Sequence, residues 1–403
     1  MAAVLKVFLP FAVTYLVAYA LRVVNAVAGE PISQELGLSS ADLGFLTSVY
    51  LFGFAVFQLP FGILMDRYGP RRVEAATLVL AVVGCLTFAL SQGFTGLVAG
   101  RALMGVGASL CLMAPFTAYR RWFSAERMPL VVGLLLVFGG VGSGVGGLPA
   151  EATMELIGWR GLFYVFAALM LMCAISIVVV VPPRREPAAD QDFSRMTREL
   201  GAVLKSRALW RVAPLSAITQ AGYLAVVGLW TGPWLRDVAG LSPKSAATWL
   251  SIAAGGLAIG FLAYGLIASR AERAGKSLQV FVWGTVLTAV VALAIIVLPP
   301  RLATPLWVLY AGLGSGGVLM YAILTRAFSA DLAGRVNTTL NFLVFFVAFL
   351  TQWGFGVVLN YFPSEGGEGS RLGYQVALAL LLALHLLCYL PLLLRPRETV
   401  SAE

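Results

Sequence analysis

The stretch Gly62-Ile63-Leu64-Met65-Asp66-Arg67-Tyr68-Gly69-Pro70-Arg71-Arg72 decides how this chain is read. One acid and three arginines are packed into seven residues between apolar runs at about 42–64 and 73–91. Charges so close together are costly in hydrocarbon, so if the flanking runs cross a membrane this turn lies at its surface. Ten more runs of similar character stand outward from it, at about 7–29, 95–118, 128–150, 161–181, 208–231, 247–268, 277–298, 304–325, 338–361 and 372–394. A crossing needs ~20 mostly apolar residues, so the pattern predicts an all-α membrane protein of twelve spans. Residues 7–29 are interrupted by Arg22 and followed by no small-residue cleavage site, so they are read as span 1 rather than as a leader.

Composition removes the other classes. Of 403 residues 60% are hydrophobic and 12% charged, against about 25% charged in soluble domains. Cys85, Cys111, Cys173 and Cys388 lie inside apolar runs without paired spacing, which argues against a disulfide framework or a metal site. The single histidine, His385, sits among leucines and is read as structural. No nucleophile–base pair or nucleotide loop appears, so neither an enzyme nor a cofactor is expected. The net charge of +9 sorts by side instead of marking a nucleic-acid partner. With the N-terminus inside, 21 of the 28 Lys and Arg fall on cytoplasmic segments and five (Arg160, Arg236, Lys244, Arg301 and Arg371) on outer loops. That imbalance is the positive-inside pattern. It predicts a multi-pass membrane protein with both termini cytoplasmic, and the membrane expected for such a chain is the inner membrane of a bacterium.

Pro182-Pro183-Arg184-Arg185-Glu186-Pro187 ends the sixth run, and polar sequence follows to about Arg207. The chain thus divides into a six-helix half (1–181), a cytoplasmic linker (182–206) and a second six-helix half (207–403). A faint repeat relates the halves, with Gly62-Ile-Leu-Met-Asp66-Arg67 matching Gly265-Leu-Ile-Ala-Ser269-Arg270.

The charged turn resembles, almost position for position, the G-x-L-x-D-R-x-G-R-R loop between helices 2 and 3 of the major facilitator superfamily. The resemblance covers the whole chain. It implies two helical halves that rock about a central solute site, with Asp66, Arg67, Arg71 and Arg335 forming an inner latch. Tyr15, Tyr19, Arg22 and Asn25, spaced 4, 3 and 3, lie on one helical stripe. That stripe resembles helix 1 of the organophosphate and anion–cation symporter branches, where the matching arginine binds an anionic group. An arginine at that depth costs ~2.5–3.5 kcal/mol and is usually functional; the alternative is pairing with Glu30. Arg101-Ala-Leu-Met-Gly105-Val-Gly107 resembles the R-x-x-x-G of helix 4, and Arg101 is placed either at the substrate or in a structural bond to helix 1. Gly107-Ala108-Ser109 stands where symporter relatives carry a proton-binding glutamate.

No Asp or Glu falls in the middle of a predicted span; Glu30, Asp42, Asp66, Glu74 and Glu151 lie near span ends. Two arginines without a carboxylate attract anions. Gln220, Tyr223, Tyr321, Asn341 and Gln352 are expected to complete the site, with Gln58 as a further polar residue. The glycines of span 5 (Gly139, Gly140, Gly142, Gly144, Gly146 and Gly147) and span 8 (Gly255, Gly256, Gly260 and Gly265) are expected to meet in a close seam between the halves. The reading is therefore a secondary carrier of a small organic anion, monomeric in lipid, with protons as a coupling ion left open. The alternative is a proton-driven exporter of drugs or metabolites, although Val145 stands where related exporters carry a proline after Gly144.

The topology is checked by single cysteines at positions 190 and 368 in a cysteine-free background. In intact cells an impermeant maleimide is expected to label 368 and spare 190; the reverse result inverts the map.

Overall fold

Gly69 makes the charged turn with φ of 83° and ψ of 152°, a conformation side chains resist. Its N–H closes the preceding helix on the Met65 carbonyl at 2.9 Å, and Pro70 opens the next helix, where a missing N–H costs nothing. Charge, glycine and proline thus act together to end one span and start another. The same chemistry recurs elsewhere. Ser39 and Asp42 form a reciprocal capping box before span 2, and Ser242 caps the helix that Pro243 opens.

The structure, a computed structural model, describes residues 2–124, 127–183, 193–329, 332–362 and 368–394. It is helical throughout, with no strand among the described residues. Eleven helices are long and apolar enough to cross a membrane: Leu5–Val23, Ser40–Gln58, Pro70–Leu90, Phe94–Trp122, Leu148–Val180, Arg207–Asp237, Pro243–Arg273, Ser277–Val297, Pro300–Thr325, Gly334–Asn360 and Arg371–Leu394. A shorter apolar helix, Leu130–Val145, falls between the fourth and fifth of these. Counted in chain order with it, they are spans 1 to 12, in agreement with the expected number. Span 5 stops at Val145, earlier than expected, and the following helix kinks at Gly158 (φ 72°), where Trp159 and Arg160 reach Glu35. Arg160 and the Trp159 indole hold the Glu35 carboxyl below the usual carboxylate range.

Spans 1, 4, 7 and 10 are each interrupted near the middle or end. Span 1 breaks at Val24 before a second helix, Asn25–Leu36; span 4 breaks over Ser109–Leu112. Span 7 widens to a π-turn at Val226–Trp230, and span 10 tightens to a 3₁₀ turn at Ser315–Gly317. These are corresponding spans of the two halves, which is where broken helices line a solute site.

The end carrying Arg67, Arg71, Arg72 and Arg121 is called the basic end here, and the opposite one the far end. The halves are joined most closely toward the far end. Arg236 pairs with Glu30 and donates to the Ala26 carbonyl at 3.4 Å. Asn360 accepts from the Ala41 N–H at 3.1 Å, and Ser251 links Leu148 N–H to the Gly144 carbonyl at 2.9 Å each. Deeper in, Phe54 meets Phe345 at 4.3 Å and Asn341 donates to Gln58 at 2.7 Å.

Two expectations are corrected. Residues 182–206 are not simply a solvated linker: Phe193–Lys205 is a helix that packs on span 11, buries Val203 and brings Glu199 to Arg335 at 3.1 Å. Residues 184–192 lie outside the described residues. The glycine seam is also one-sided. Gly140 and Gly144 of span 5 face Ala258 and Ala254 of span 8, whereas Gly256 and Gly260 turn inside their own half against Val308 and Gly312. Gly139, Gly142 and Gly146 take span 1 instead. At Gly142 a Cβ would run into the Leu16 carbonyl; at Gly144 it would rest 3.8 Å from the Ala254 methyl. Gly142→Ala is therefore expected to lower the melting temperature in detergent and Gly144→Ala to leave it near the parent value. Equal effects would refute the assignment of the close contact to spans 1 and 5.

Candidate functional site

Tyr19 and Arg22 of the stripe predicted on span 1 point into the place where the halves meet. Arg22 is half-buried, with its guanidinium carbon 4.7 Å from the Tyr19 ring centre, 4.9 Å from Phe54, 5.2 Å from Phe345 and 6.0 Å from Tyr50. Phe54 comes from span 2 and Phe345 from span 11, so the cation sits on a ring pair shared by both halves. Ring faces attract a cation without neutralising it. Among the described residues Arg22 has no acidic partner, and its Nε is buried without a hydrogen bond. Glu30, the alternative partner, is taken by Arg236. Tyr19 continues across the boundary, its hydroxyl 3.4 Å from that of Tyr223 on span 7.

Arg101 goes elsewhere. It is fully buried, and its terminal nitrogens donate to the carbonyls of Leu21 at 2.9 Å and Arg22 at 2.8 Å. The break in span 1 leaves those carbonyls without their usual helical donors, and a guanidinium satisfies both at once. The positive potential of the site is thus one free arginine, not two. Asn25 is likewise turned away, donating to Thr47 at 3.0 Å. Gln352 bonds the Ala225 carbonyl at 3.3 Å beside the π-turn of span 7, and Gln220 bonds Ser216 at 3.1 Å within its own helix.

A second polar group crosses the boundary. Tyr321 of span 10 donates to Asn341 at 2.8 Å, and Asn341 donates to Gln58 of span 2. Together with Arg22, Tyr19 and Tyr223 it forms the central set: one cation, two phenol or amide side chains from the first half and three from the second, and an aromatic wall of Tyr50, Phe54 and Phe345. The wall was not expected, although its spacing is visible: Tyr50, Phe54 and Gln58 recur every four residues, as do Asn341 and Phe345.

At the basic end Arg67, Arg71, Arg72, Arg121, Phe11 and Trp122 line a cavity of about 300 Å³. Arg71 donates to the Val178 carbonyl, tying the turn to span 6. Arg335, expected opposite Asp66, is drawn to Glu199 because the linker helix delivers a carboxylate there. The Asp66 side chain lies outside the described residues. The larger cavity, about 510 Å³ between spans 7, 11 and 12, is walled by apolar side chains and lies apart from the polar set. His385 is buried in the same region, 3.3 Å from the Thr219 hydroxyl.

The sequence profile of the Major Facilitator Superfamily matches residues 11–352. An uncharacterized MFS-type transporter of Mycobacterium tuberculosis is 31% identical over 159 residues, 40% of this chain and 28% of that protein. A probable chloroplastic anion transporter of Arabidopsis thaliana is 26% identical over 250 residues, 57% of this chain and 48% of that one. The matches therefore span less than half the length of these relatives. Among solved structures, a bacterial homologue of the human lysosomal transporter Spinster, inward-facing and unoccupied, superposes with a TM-score of 0.77. The match covers 98% of this chain and 99% of that one at 17% identity, a likeness of fold.

Removing the guanidinium that holds the span 1 break is expected to cost stability. Arg101→Met loses two charge-assisted hydrogen bonds and leaves two buried carbonyls, about 3 kcal/mol together. Thermal melting of the purified variant should fall well below that of Arg22→Ala; equal melting would place Arg101 in the site after all.

Proposed function

The chain belongs to the Major Facilitator Superfamily, and from that membership we propose that it is a secondary carrier of a small organic anion, working by alternating access of its two halves. The observation that carries the reading is Arg22: a cation on an aromatic wall between the halves, with no carboxylate paired to it among the described residues. Guanidinium takes a carboxylate or phosphate in a two-pronged fork, and the phenol and amide groups of Tyr19, Tyr223, Tyr321, Asn341 and Gln58 supply neutral donors around it. A cationic solute would meet like charge. The Arabidopsis relative, named as a probable anion transporter, supports the same class.

The contacts between the halves suit a rocking motion. At the far end they are a polar set, namely Glu30 with Arg236, Ala41 with Asn360, and Ser251 with Gly144 and Leu148. They are one ion pair, half-open to solvent on its Glu30 side, and single hydrogen bonds, so few contacts must be given up for the far end to separate. A solute that binds one arrangement more tightly shifts the population toward it. We place the basic end in the cytoplasm on the charge asymmetry, with protons as a coupling ion.

Binding separates this reading from its rival. Purified protein is titrated against a panel of small carboxylates, inorganic phosphate, nitrate and cationic dyes, with melting temperature recorded alongside. Arg22→Lys is expected to keep weak anion binding, since it retains charge without the fork. Arg22→Ala should lose about 2–5 kcal/mol of binding while melting close to the parent. Unchanged anion affinity in Arg22→Ala, or tight binding of dyes alone, overturns the anion reading and favours a proton-driven exporter.

A further inference from the structure

The groove between spans 7, 11 and 12 is made by small side chains. Ala213 and Ala217 of span 7, Gly354 of span 11 and Ala377 of span 12 stand where larger groups would close it. A Cβ on Gly354 would meet nothing within 4 Å. Elsewhere in this protein small residues bring helices together: on span 5, the corresponding span of the first half, a Cβ on Gly142 would strike the Leu16 carbonyl. Here the same residue types leave a groove of about 510 Å³ instead. Leu350, Leu380 and Leu384 on its walls are exposed, and span 12 is the least buried of the eleven long spans. The groove therefore opens on the flank of the protein, at the depth of the hydrocarbon. Walls without partner atoms lose their dispersion contacts, and in a bilayer the molecule at hand to restore them is a hydrocarbon chain.

The length of the groove and the charge at its mouth identify the molecule that supplies the chain. Along span 11 the groove runs from Leu343 to Val358, about 22 Å at the helical rise, which exceeds one leaflet of the ~30 Å hydrocarbon core and suits one extended acyl chain. At the basic end Arg207, Arg211, Pro214 and Ile218 are spaced 4, 3 and 4 and share one stripe of span 7. Pro214 and Ile218 line the groove. The two arginines stand beyond its mouth, and side chains on a helix lean toward its start, which here is the membrane surface. Among the described residues neither arginine has an ion pair or a side-chain hydrogen bond; Arg207 is exposed, and Arg211 is half-buried with its Nε unbonded. Trp210 lies between them, lines the same mouth and donates to the Leu204 carbonyl at 2.6 Å. Indoles favour that boundary between hydrocarbon and headgroups. Two unpaired guanidinium groups above a groove of acyl length are complementary to a phosphate above a chain. We propose that this groove is a binding site for one anionic phospholipid of the basic-end leaflet, its acyl chain lying between spans 7, 11 and 12 and its phosphate held by Arg207 and Arg211.

Native mass spectrometry of the purified, delipidated full chain, offered phosphatidylglycerol or phosphatidylcholine with the same acyl chains, reads the occupancy. One phosphatidylglycerol per monomer is expected to be retained, about 30-fold more tightly than phosphatidylcholine, from about fivefold for each surface guanidinium. Arg207→Gln combined with Arg211→Gln should bring the two lipids level while the melting temperature in lipid-free detergent stays at the parent value. Gly354→Leu, whose side chain enters the groove, should lose retention of both lipids. Equal affinity of the parent for the two lipids overturns the proposal, as does a phosphatidylglycerol preference that survives the double arginine variant. Full retention in Gly354→Leu overturns it as well; if that variant does not yield folded protein, Thr351→Leu on the same wall decides in its place. A dimer in the spectra with no lipid retained gives the groove to a second copy of the chain and also overturns it. The groove lies apart from Arg22, so the lipid site and the anion reading stand or fall separately.

Discussion

In a bilayer a helix that breaks must find new partners for the carbonyls it abandons, because no water is there to take them. The site of this protein depends on how that is done at span 1. Arg101 donates to Leu21 and Arg22, and this lets the helix stop at Val24 with the Arg22 side chain facing the opposite half. The other interruptions are served in the same way by short side chains. Ser109 donates to the Val106 carbonyl, Thr231 to Val226, Ser315 to Gly312, and Gln352 reaches from span 11 to Ala225. Residues that look like binding groups by their polarity are therefore largely engaged in keeping broken helices stable in lipid.

Span 5 shows how one helix serves both a fixed and a movable contact. Gly139, Gly142 and Gly146 lie on one stripe and let span 1 approach backbone to backbone inside the first half. Gly140, Gly144 and Gly147 lie on the adjacent stripe and face span 8 of the other half. On span 8 the facing groups are methyls and one hydroxyl, Ala258, Ala254 and Ser251. Small groups on both sides leave few interlocked side chains to disengage, which suits the rocking motion proposed above.

The charged residues sort by partner, not by depth. Arg22 and Arg101 would cost about the same to insert, yet one is held by ring faces, with no carboxylate paired to it among the described residues, and the other by backbone carbonyls. Glu74 and Glu35 make a similar contrast. Glu35 sits at the edge of the fold with Arg160 and Trp159 holding it ionised, while Glu74 is enclosed by thiols and a phenol.

Span number and the turn at Gly69 were legible in the chain. They rest on local rules: apolar length, the φ freedom of glycine, proline's missing donor and the helical repeat. That Arg22 lies inside a span was legible for the same reason, since depth within a span can be counted. Which of two arginines stays free was not, because that depends on where span 1 breaks and whose side chain reaches its carbonyls. Nor could counting show that Glu74, four residues into a span, is enclosed, that Glu199 comes to Arg335, or that Phe54 and Phe345 close on each other. Each depends on residues far apart in the chain being brought together, and only the packing of the helices against one another supplies that.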